Sequence, residues 1–285
     1  FVPETPRWLL SKGRLKECRK VLQKIEPENT VNDLIGQMEV EIEKDRNSAV
    51  GWRYLMQPWL RTPLMIAVCI MFFQQFVGIN TVIYYSPKIF LMAGFESTLS
   101  AIWASVGIGI VNVVFTVISL YLVDRIGRRK LYFIGLSGIA FSVLCLSACF
   151  IYANQLGEIG RWLMVIFMFG YVAFFAISIG PLGWLVISEI FPQKVRGLGT
   201  SIGSLAVWIF NCIVSFTFFK IIDFFSIPGT EIVVGQTTSE NPAGAFFLYG
   251  FIAVLGLVWG YLFLPETKGL SLEEIEQKWR KNREC

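Results

Sequence analysis

The chain has 285 residues, of which 54% are apolar and 16% are charged. A soluble domain carries about 25% charged residues, so this composition excludes an ordinary soluble protein. The charged residues leave six uncharged segments of 23 to 27 residues, and a bilayer core needs about 20 apolar helical residues. The sequence therefore predicts an all-α membrane protein with six transmembrane helices, at approximately 64–86, 98–123, 131–153, 162–188, 197–222 and 243–264.

Lysine and arginine are distributed unevenly between the two sides that these helices define. One side carries 22 of the 25 basic residues, and the other carries only Lys88, Arg161 and Lys220. Cytoplasmic loops collect basic residues, so both termini are predicted to lie in the cytoplasm. Acidic residues interleave with the basic ones in the first segment, which disfavours a nucleic-acid-binding patch and predicts no nucleic acid partner.

Residues 1–60 precede the six-helix region, which is predicted to span 61–265. Apolar residues recur at near-helical spacing between 8 and 57, and Pro27 divides this stretch. Regular apolar faces are typical of amphipathic helices. We therefore predict two or three short cytoplasmic helices that lie against the cytoplasmic face of the bundle. Residues 266–285 are predicted to form a cytoplasmic tail.

The tripeptide Pro-Glu-Thr occurs twice, at Pro3–Thr5 and at Pro265–Thr267. Both copies are predicted where a helix leaves the membrane on the cytoplasmic side. Such a repeat indicates a duplicated unit of about 260 residues. We therefore expect the sequence to hold the second unit complete and, at its start, the end of a preceding transmembrane helix.

Two of the six spans contain helix-breaking residues at corresponding places. The first span carries Gly78, and the fourth carries Gly180-Pro181 and Gly183. These spans open two consecutive triplets of helices, so matching breaks indicate a transporter site near the bilayer midplane. The alternative is that membrane helices simply tolerate Gly and Pro at these places.

Polar side chains occur inside the spans, where they need a partner, a cavity or a ligand. On a straight helix Gln75 and Asn80 would lie about 140° apart, and a break at Gly78 would let both face one cavity. The other candidates are amides, hydroxyls and indoles: Gln74, Asn112, Trp184, Ser204, Trp208, Asn211 and Ser215. For each amide alone, an interhelical hydrogen bond is the alternative. Together, with no charge deep in any span, they favour a neutral polyol over an ion.

Residues that carry enzyme chemistry are scarce. The sequence has no histidine, and Cys145 and Cys149 share a helix face without further metal-binding residues near them. We therefore predict no catalytic residues, no metal site and no cofactor, and we do not expect the chain to be an enzyme.

Seven short motifs, in family order along the chain, resemble those of the sugar porters, the monosaccharide transporters of the major facilitator superfamily. They are Pro3–Leu10, Gln74–Asn80, Asp124–Arg129, Gly180–Trp184, Ser188–Pro192, Arg196–Gly197 and Pro265–Gly269. The resemblance implies the carboxy-terminal six-helix half of a bundle of that superfamily, with an amino-terminal six-helix half as its partner. It also implies alternating-access transport of a hexose or pentose across the lipid bilayer.

The resemblance also implies roles for individual residues. The implied sugar-binding residues are Gln74, Gln75, Asn80, Asn112, Gly180, Trp184, Trp208 and Asn211. An aromatic lid is implied at Tyr84 and Tyr85. A cytoplasmic charge cluster that holds the outward-facing state is implied at Asp124, Arg128, Arg129, Glu189 and Arg196. The same gating set includes Glu4, Arg7 and Glu266.

Two positions depart from animal glucose uniporters, which often carry Glu where this chain has Ala176 and an amide where it has Val207. Loss of an amide removes one partner for a hydroxyl and widens the choice of sugar. The motifs are closer to bacterial and plant proton-coupled porters, so we expect symport with protons in a bacterial inner membrane. In those porters the coupling carboxylate lies in the first helix, which this sequence does not include. A facilitative uniporter and a sugar sensor remain the alternatives.

Overall fold

The computed structural model describes residues 4–46, 52–95, 97–226, 232–234, 237–239, 241–269 and 279. The chain divides into two compact units, Phe1–Tyr54 and Leu55–Cys285. The predicted end of a preceding transmembrane helix falls on residues 1–3, outside the described residues. Most of the predicted cytoplasmic tail, from residue 270 onward, also lies outside them.

The described residues of the first unit form three helices, α1 (Pro6–Ser11), α2 (Leu15–Leu22) and α3 (Glu28–Arg46), and the start of a fourth, α4 (Trp52–Leu55). Pro27 immediately precedes α3, where its missing N–H is harmless. The apolar faces of the three helices close one small core, formed by Leu9, Cys18, Leu22, Val31 and Ile35. The described part of this stretch is helical, as expected, although α3 is 19 residues long. The location of these helices at the cytoplasmic face stays a prediction.

The second unit contains six helical spans that are long and apolar enough to cross a membrane, within the part of the chain that the structure describes. A short helix, α4 (Trp52–Leu55), and a 3₁₀ turn (Pro58–Leu60) come before them. The helices of the spans are α5 (Arg61–Phe76), α6 (Ile79–Met92), α7 (Thr98–Ile126), α8 (Arg128–Ile151), α9 (Ala153–Ile177), α10 (Ile179–Ile190), α11 (Gln193–Phe224) and α12 (Ala243–Phe263). The first span consists of α5 and α6, and the fourth consists of α9 and α10.

A small antiparallel hairpin lies between α11 and α12. Its strands are β1 (Ile232–Val234) and β2 (Thr237–Ser239), with Val233 opposite Thr238. The sequence analysis did not predict this hairpin, because three residues are too few to show a strand's alternation. Among the described residues, the other elements of the second unit are helices, as the all-α prediction requires.

Helix α8 packs against α9 and α12, while α7 is the least covered span. Tyr132 of α8 is fully buried, and its hydroxyl donates to the carbonyl of Gly256 in α12 at 2.9 Å. Only 17% of the apolar 18-residue stretch of α7 is buried, compared with 67% of the corresponding stretch in the first span. The exposed apolar surface of α7 therefore needs cover from lipid or protein.

Candidate functional site

The first span is broken at Gly78, as predicted. Gly78 has φ +87° and separates α5 from α6. A residue with a side chain would be strained at this φ, and its Cβ would collide with the ring of Tyr249. The break turns two amides toward each other, so that Asn80 Nδ2 donates to Gln75 Oε1 at 2.6 Å.

The fourth span is broken at Ser178, and the predicted break at Gly180-Pro181 and Gly183 is wrong. Ser178 has φ −119° and ψ −103°, and α10 begins at the next residue. Pro181 fits the first turn of a helix, where no N–H is needed. Its missing N–H leaves the carbonyl of Ile177 without a helical donor, and Ser119 Oγ of α7 donates to that carbonyl at 2.8 Å.

Gln74 connects the first span to the break in the fourth. Its Nε2 donates to the carbonyls of Ile179 at 3.0 Å and of Gly180 at 2.7 Å. Gly183 permits this approach, because a Cβ there would come 3.0 Å from Gln74 Nε2. Gln75 Nε2 in turn donates to Gln74 Oε1 at 3.3 Å. The two broken spans are thus joined by a row of amides.

These two breaks open onto a cavity of about 330 Å³ that also borders α7 and α11. The residues that line it are Gln74, Gln75, Ile79, Asn80, Tyr84, Asn112, Thr116, Phe175, Ala176, Gly180, Pro181, Trp184, Val207, Trp208 and Asn211. All eight residues for which sugar binding was predicted are among them. The structure therefore brings these eight residues to one place, whereas the other two polar candidates, Ser204 and Ser215, are not part of the lining.

The predicted aromatic lid is divided between two environments. Tyr84 lines the cavity, and its hydroxyl accepts a hydrogen bond from Asn211 Nδ2 at 3.3 Å. Tyr85 instead donates to the carbonyl of Ser215 at 3.3 Å and stacks on Phe218 with ring centroids 5.5 Å apart. Tyr85 therefore attaches α6 to α11, outside the cavity lining.

The prediction missed several lining residues. Thr116 lies one helical turn after Asn112 and donates to its carbonyl at 2.7 Å, so the i+4 spacing on α7 could have indicated it. Phe175 gave no such signal, because it is one of 25 phenylalanines in an apolar chain. Ala176 and Val207, noted only as departures from animal uniporters, form apolar parts of the wall.

The described lining has no carboxylate, ammonium or guanidinium group. It offers five amides, two indoles and the hydroxyls of Tyr84 and Thr116. An amide both donates and accepts hydrogen bonds, which matches a hydroxyl group. An indole supplies a flat apolar face with one N–H donor. This chemistry suits a neutral molecule that carries several hydroxyl groups.

A second group of predicted residues meets at the ends of α7, α8 and α10. Arg128 Nη2 lies 2.8 Å from Glu189 Oε1, and both side chains are mostly buried, at 12% and 19% exposed. Asp124 lies 3.3 Å from Arg128 Nη1 but is 77% exposed, so that contact contributes little. Thr267 Oγ1 donates to Glu189 Oε2 at 2.5 Å.

Glu266 completes this cluster by capping α8. Its carboxylate accepts hydrogen bonds from the backbone N–H groups of Arg128 at 3.0 Å and Arg129 at 3.1 Å. These are free N–H groups at a helix N-terminus, where a negative charge is favourable. The second Pro-Glu-Thr copy thus ties the residues after α12 to α8.

Two arginines that were predicted in the cluster do not pair with its carboxylates. The guanidinium of Arg129 donates to the carbonyl of Tyr261 at 2.8 Å. Arg196 donates to the carbonyl of Phe191 at 3.5 Å, and its buried Nη2 has no hydrogen-bond partner among the described residues. Glu4 and Arg7 belong to the first unit, and their gating role stays a prediction.

Comparisons with known proteins agree with this geometry. A family model described as sugar (and other) transporter matches residues 1–279. The chain is 35% identical over 282 residues to the probable metabolite transport protein CsbC of Bacillus subtilis, covering 99% of this chain and 57% of that protein. It is 34% identical over 278 residues to the D-xylose-proton symporter of Escherichia coli, with 98% and 53% covered. The chain spans about half the length of the curated relatives it matches.

Solved structures show the same partial overlap. The proton:xylose symporter XylE, a major facilitator superfamily protein bound to 6-bromo-6-deoxy-D-glucose, matches with a TM-score of 0.73 and 33% identity over 98% of this chain and 55% of that one. Inward-open XylE from Escherichia coli matches with a TM-score of 0.69 and 30% identity, over 98% and 52%. The predicted fold, a six-helix half of such a bundle in a multi-pass membrane protein, is confirmed. The chain belongs to the sugar (and other) transporter family of the major facilitator superfamily.

Proposed function

We propose that this chain supplies the sugar-binding six-helix half of a proton-coupled monosaccharide transporter. The observation that carries the proposal is the uncharged cavity of amides and indoles between two broken helices. Its volume of about 330 Å³ lies at the lower end of the roughly 300–1,000 Å³ of small-molecule sites. A hexose or pentose fits this scale and this chemistry.

In this proposal the amides bind hydroxyl groups and the indoles of Trp184 and Trp208 pack against the sugar ring. Both indoles are exposed in the chain, at 46% and 65%, so they are open to a ligand. Ala176 and Val207 offer no hydrogen bond where animal uniporters often have polar groups. The site therefore holds the sugar through fewer polar contacts and accepts both hexoses and pentoses.

The transport cycle requires a second six-helix half, against which this half rocks around the sugar. The exposed surfaces of α7 and α11 at the cavity are where that partner would complete the site. The charge cluster at Arg128 and Glu189 acts at the cytoplasmic side and holds the outward-facing state. Both termini lie in the cytoplasm, and the membrane is a bacterial inner membrane.

Proton coupling is supported by the similarity to the D-xylose-proton symporter of Escherichia coli. The described cavity lining carries no carboxylate that could take up a proton in the span, so the coupling group belongs to the partner half. Facilitative uniport is the alternative, and it predicts uptake that is independent of the proton gradient.

The test is binding and uptake by the intact transporter that contains this chain. D-xylose and D-glucose should bind in a titration, whereas gluconate, a charged analogue, should not. A protonophore should abolish accumulation of labelled sugar in vesicles. Absence of binding by neutral sugars would contradict the sugar site, and uptake unchanged by the protonophore would establish uniport.

A further inference from the structure

Each helix break is held by a side chain from the other broken span. Tyr171 of α9, in the fourth span, donates its hydroxyl to the carbonyl of Val77 at the first break, at 2.8 Å. Gln74 of α5, in the first span, donates to the carbonyls of Ile179 and Gly180 at the second break. The support is therefore reciprocal.

Both breaks leave a backbone carbonyl that needs a donor from elsewhere. At the first break, the N–H of Thr81 bonds to the carbonyl of Gly78 at 3.1 Å and so leaves the carbonyl of Val77 for Tyr171. Val77 and Tyr171 are completely buried, so bulk solvent has no access to replace the bond. A buried carbonyl without a donor is costly, so the hydroxyl of Tyr171 stabilises the broken conformation itself.

At the second break the same need is met by Ser119. Pro181 cannot donate to the carbonyl of Ile177, and Ser119 Oγ of α7 does so at 2.8 Å. Ser119 is 1% exposed. Each break thus depends on one hydroxyl group from a neighbouring helix, and neither hydroxyl lines the cavity.

The two breaks are also connected through the cavity. Asn80, after the first break, donates to Gln75 at 2.6 Å, Gln75 donates to Gln74 at 3.3 Å, and Gln74 reaches the backbone of α10. Movement of α6 at Gly78 therefore displaces the same amides that are hydrogen-bonded to α10. We propose that Tyr171 is a positioning residue which, together with this row of amides, makes the two helix breaks open and close as one unit.

This coupling deepens the proposed function and rests on it in one respect only, namely that bound sugar acts on the two breaks. A sugar that takes a hydrogen bond from Asn80 or Gln75 acts on the amide row and so on both breaks at once. The coupling between the breaks is a property of the fold and can be measured without any sugar.

The test is hydrogen–deuterium exchange of the intact transporter in lipid, without sugar, on peptides that cover 74–82 and 176–184. Tyr171→Phe removes one hydroxyl at the first break, and Ser119→Ala removes one at the second. Each should raise exchange about fivefold at its own break, as expected for one lost hydrogen bond, and about twofold or more at the other break.

Tyr132→Phe is the matched control, because Tyr132 is equally buried and its hydroxyl also donates to a carbonyl, that of Gly256, in an unbroken helix. It should leave both peptides unchanged. Coupling between the breaks is ruled out if Ser119→Ala or Tyr171→Phe raises exchange only at its own break. It is also ruled out if Tyr132→Phe raises exchange in both peptides. A parallel sugar titration tests the proposed function separately, since the exchange result stands whether or not the parent binds sugar.

Discussion

Gln75 is the residue on which the hydrogen bonds of the cavity converge. Its carbonyl oxygen accepts from Asn80 and its amide nitrogen donates to Gln74, while it is only 6% exposed. A sugar hydroxyl that enters the cavity can replace either neighbour, because an amide accepts and donates with equal ease. Gln75 therefore links the two halves of the broken span, and in the proposed function it is also a ligand contact.

Gln75→Leu should lower the affinity of the intact transporter for sugar by about 1–3 kcal/mol, the cost of an unmade buried polar contact. This corresponds to roughly a 5- to 150-fold rise in Kd. The volume of the side chain is nearly kept, so expression should be near normal. A titration with D-xylose or D-glucose measures the effect.

Gln155→Leu is the matched control, because Gln155 of α9 is exposed and does not line the cavity. It should leave the sugar Kd within about twofold of the parent, as surface substitutions usually do. Unchanged sugar affinity in Gln75→Leu would remove Gln75 from the binding site.

At the scale of the helices, sequence reasoning located one break correctly and misplaced the other. Gly78 was predictable because only glycine adopts its backbone conformation without strain. The break at Ser178 was not, since a serine carries no comparable signal. Pro181 marks the start of α10, and the carbonyl that it leaves without a donor is satisfied by Ser119, 58 residues earlier in the chain. Such a contact exists only in the folded bundle.

The common location of the polar residues was easier to predict from the sequence than the hydrogen-bond partners of the arginines. The resemblance to sugar porters implied eight residues at one site, and the cost of polarity inside a span independently indicated most of them; all eight line the cavity. The partners of Arg129 and Arg196 were not predictable. A carbonyl such as that of Phe191 is present at every residue, and only the path of the backbone decides which one a guanidinium reaches.

Gly78→Ala should destabilise the break between α5 and α6. A residue other than glycine at positive φ costs about 1–3 kcal/mol of strain, and the new Cβ would also displace the buried ring of Tyr249. We expect a clear fall in the thermal unfolding midpoint in detergent, together with weaker sugar binding. A midpoint equal to that of the parent would show that the break is not held as described.

Gly109→Ala provides the opposite case in the same membrane domain. Gly109 lies inside α7, and nothing lies within 4 Å of the position a Cβ would take. Replacing a glycine inside a helix with alanine stabilises it by about 0.5–1 kcal/mol. The unfolding midpoint should therefore stay the same or rise slightly.

Glu189→Gln tests the cytoplasmic charge cluster as a lock between conformations. The substitution keeps the shape of the side chain but removes the charge 2.8 Å from the mostly buried Arg128. If the pair holds the outward-facing state, its loss raises the inward-facing population. A ligand responds to such a shift only if it prefers one state, so an inhibitor that binds from the cytoplasm should bind the variant more tightly, by about 1 kcal/mol.

Asp124→Asn serves as the control for this lock, because Asp124 is 77% exposed and contacts Arg128 at 3.3 Å. A screened, exposed pair contributes little, and inhibitor affinity should scarcely change. Equal inhibitor binding by Glu189→Gln and the parent would mean that the cluster holds the ends of α8 and α10 together without selecting a conformation.

At the scale of the whole molecule, the polar site and the uncovered helices lie on the same elements. Asn112 and Thr116 of α7 line the cavity, and so do Trp208 and Asn211 of α11. The same two helices expose large apolar side chains, including Trp103 and Phe216. Lipid could cover the apolar groups, but amides facing hydrocarbon are costly. The arrangement therefore calls for a protein partner that closes the cavity, as the proposed second half would.

We expect that the 285-residue chain by itself inserts into a membrane but does not transport. Each span meets the length requirement, so insertion should succeed, whereas alternating access needs two halves that move against each other. Vesicles that contain only this chain should show no saturable uptake of labelled hexose or pentose, and the chain should self-associate through α7 and α11. Coexpression with an amino-terminal six-helix half of the same family should restore uptake, and Gln75→Leu in that pair should weaken it. Saturable uptake by the chain alone, blocked by a competing sugar, would instead make this six-helix unit a complete carrier, with α7 and α11 covered by a second copy or by lipid.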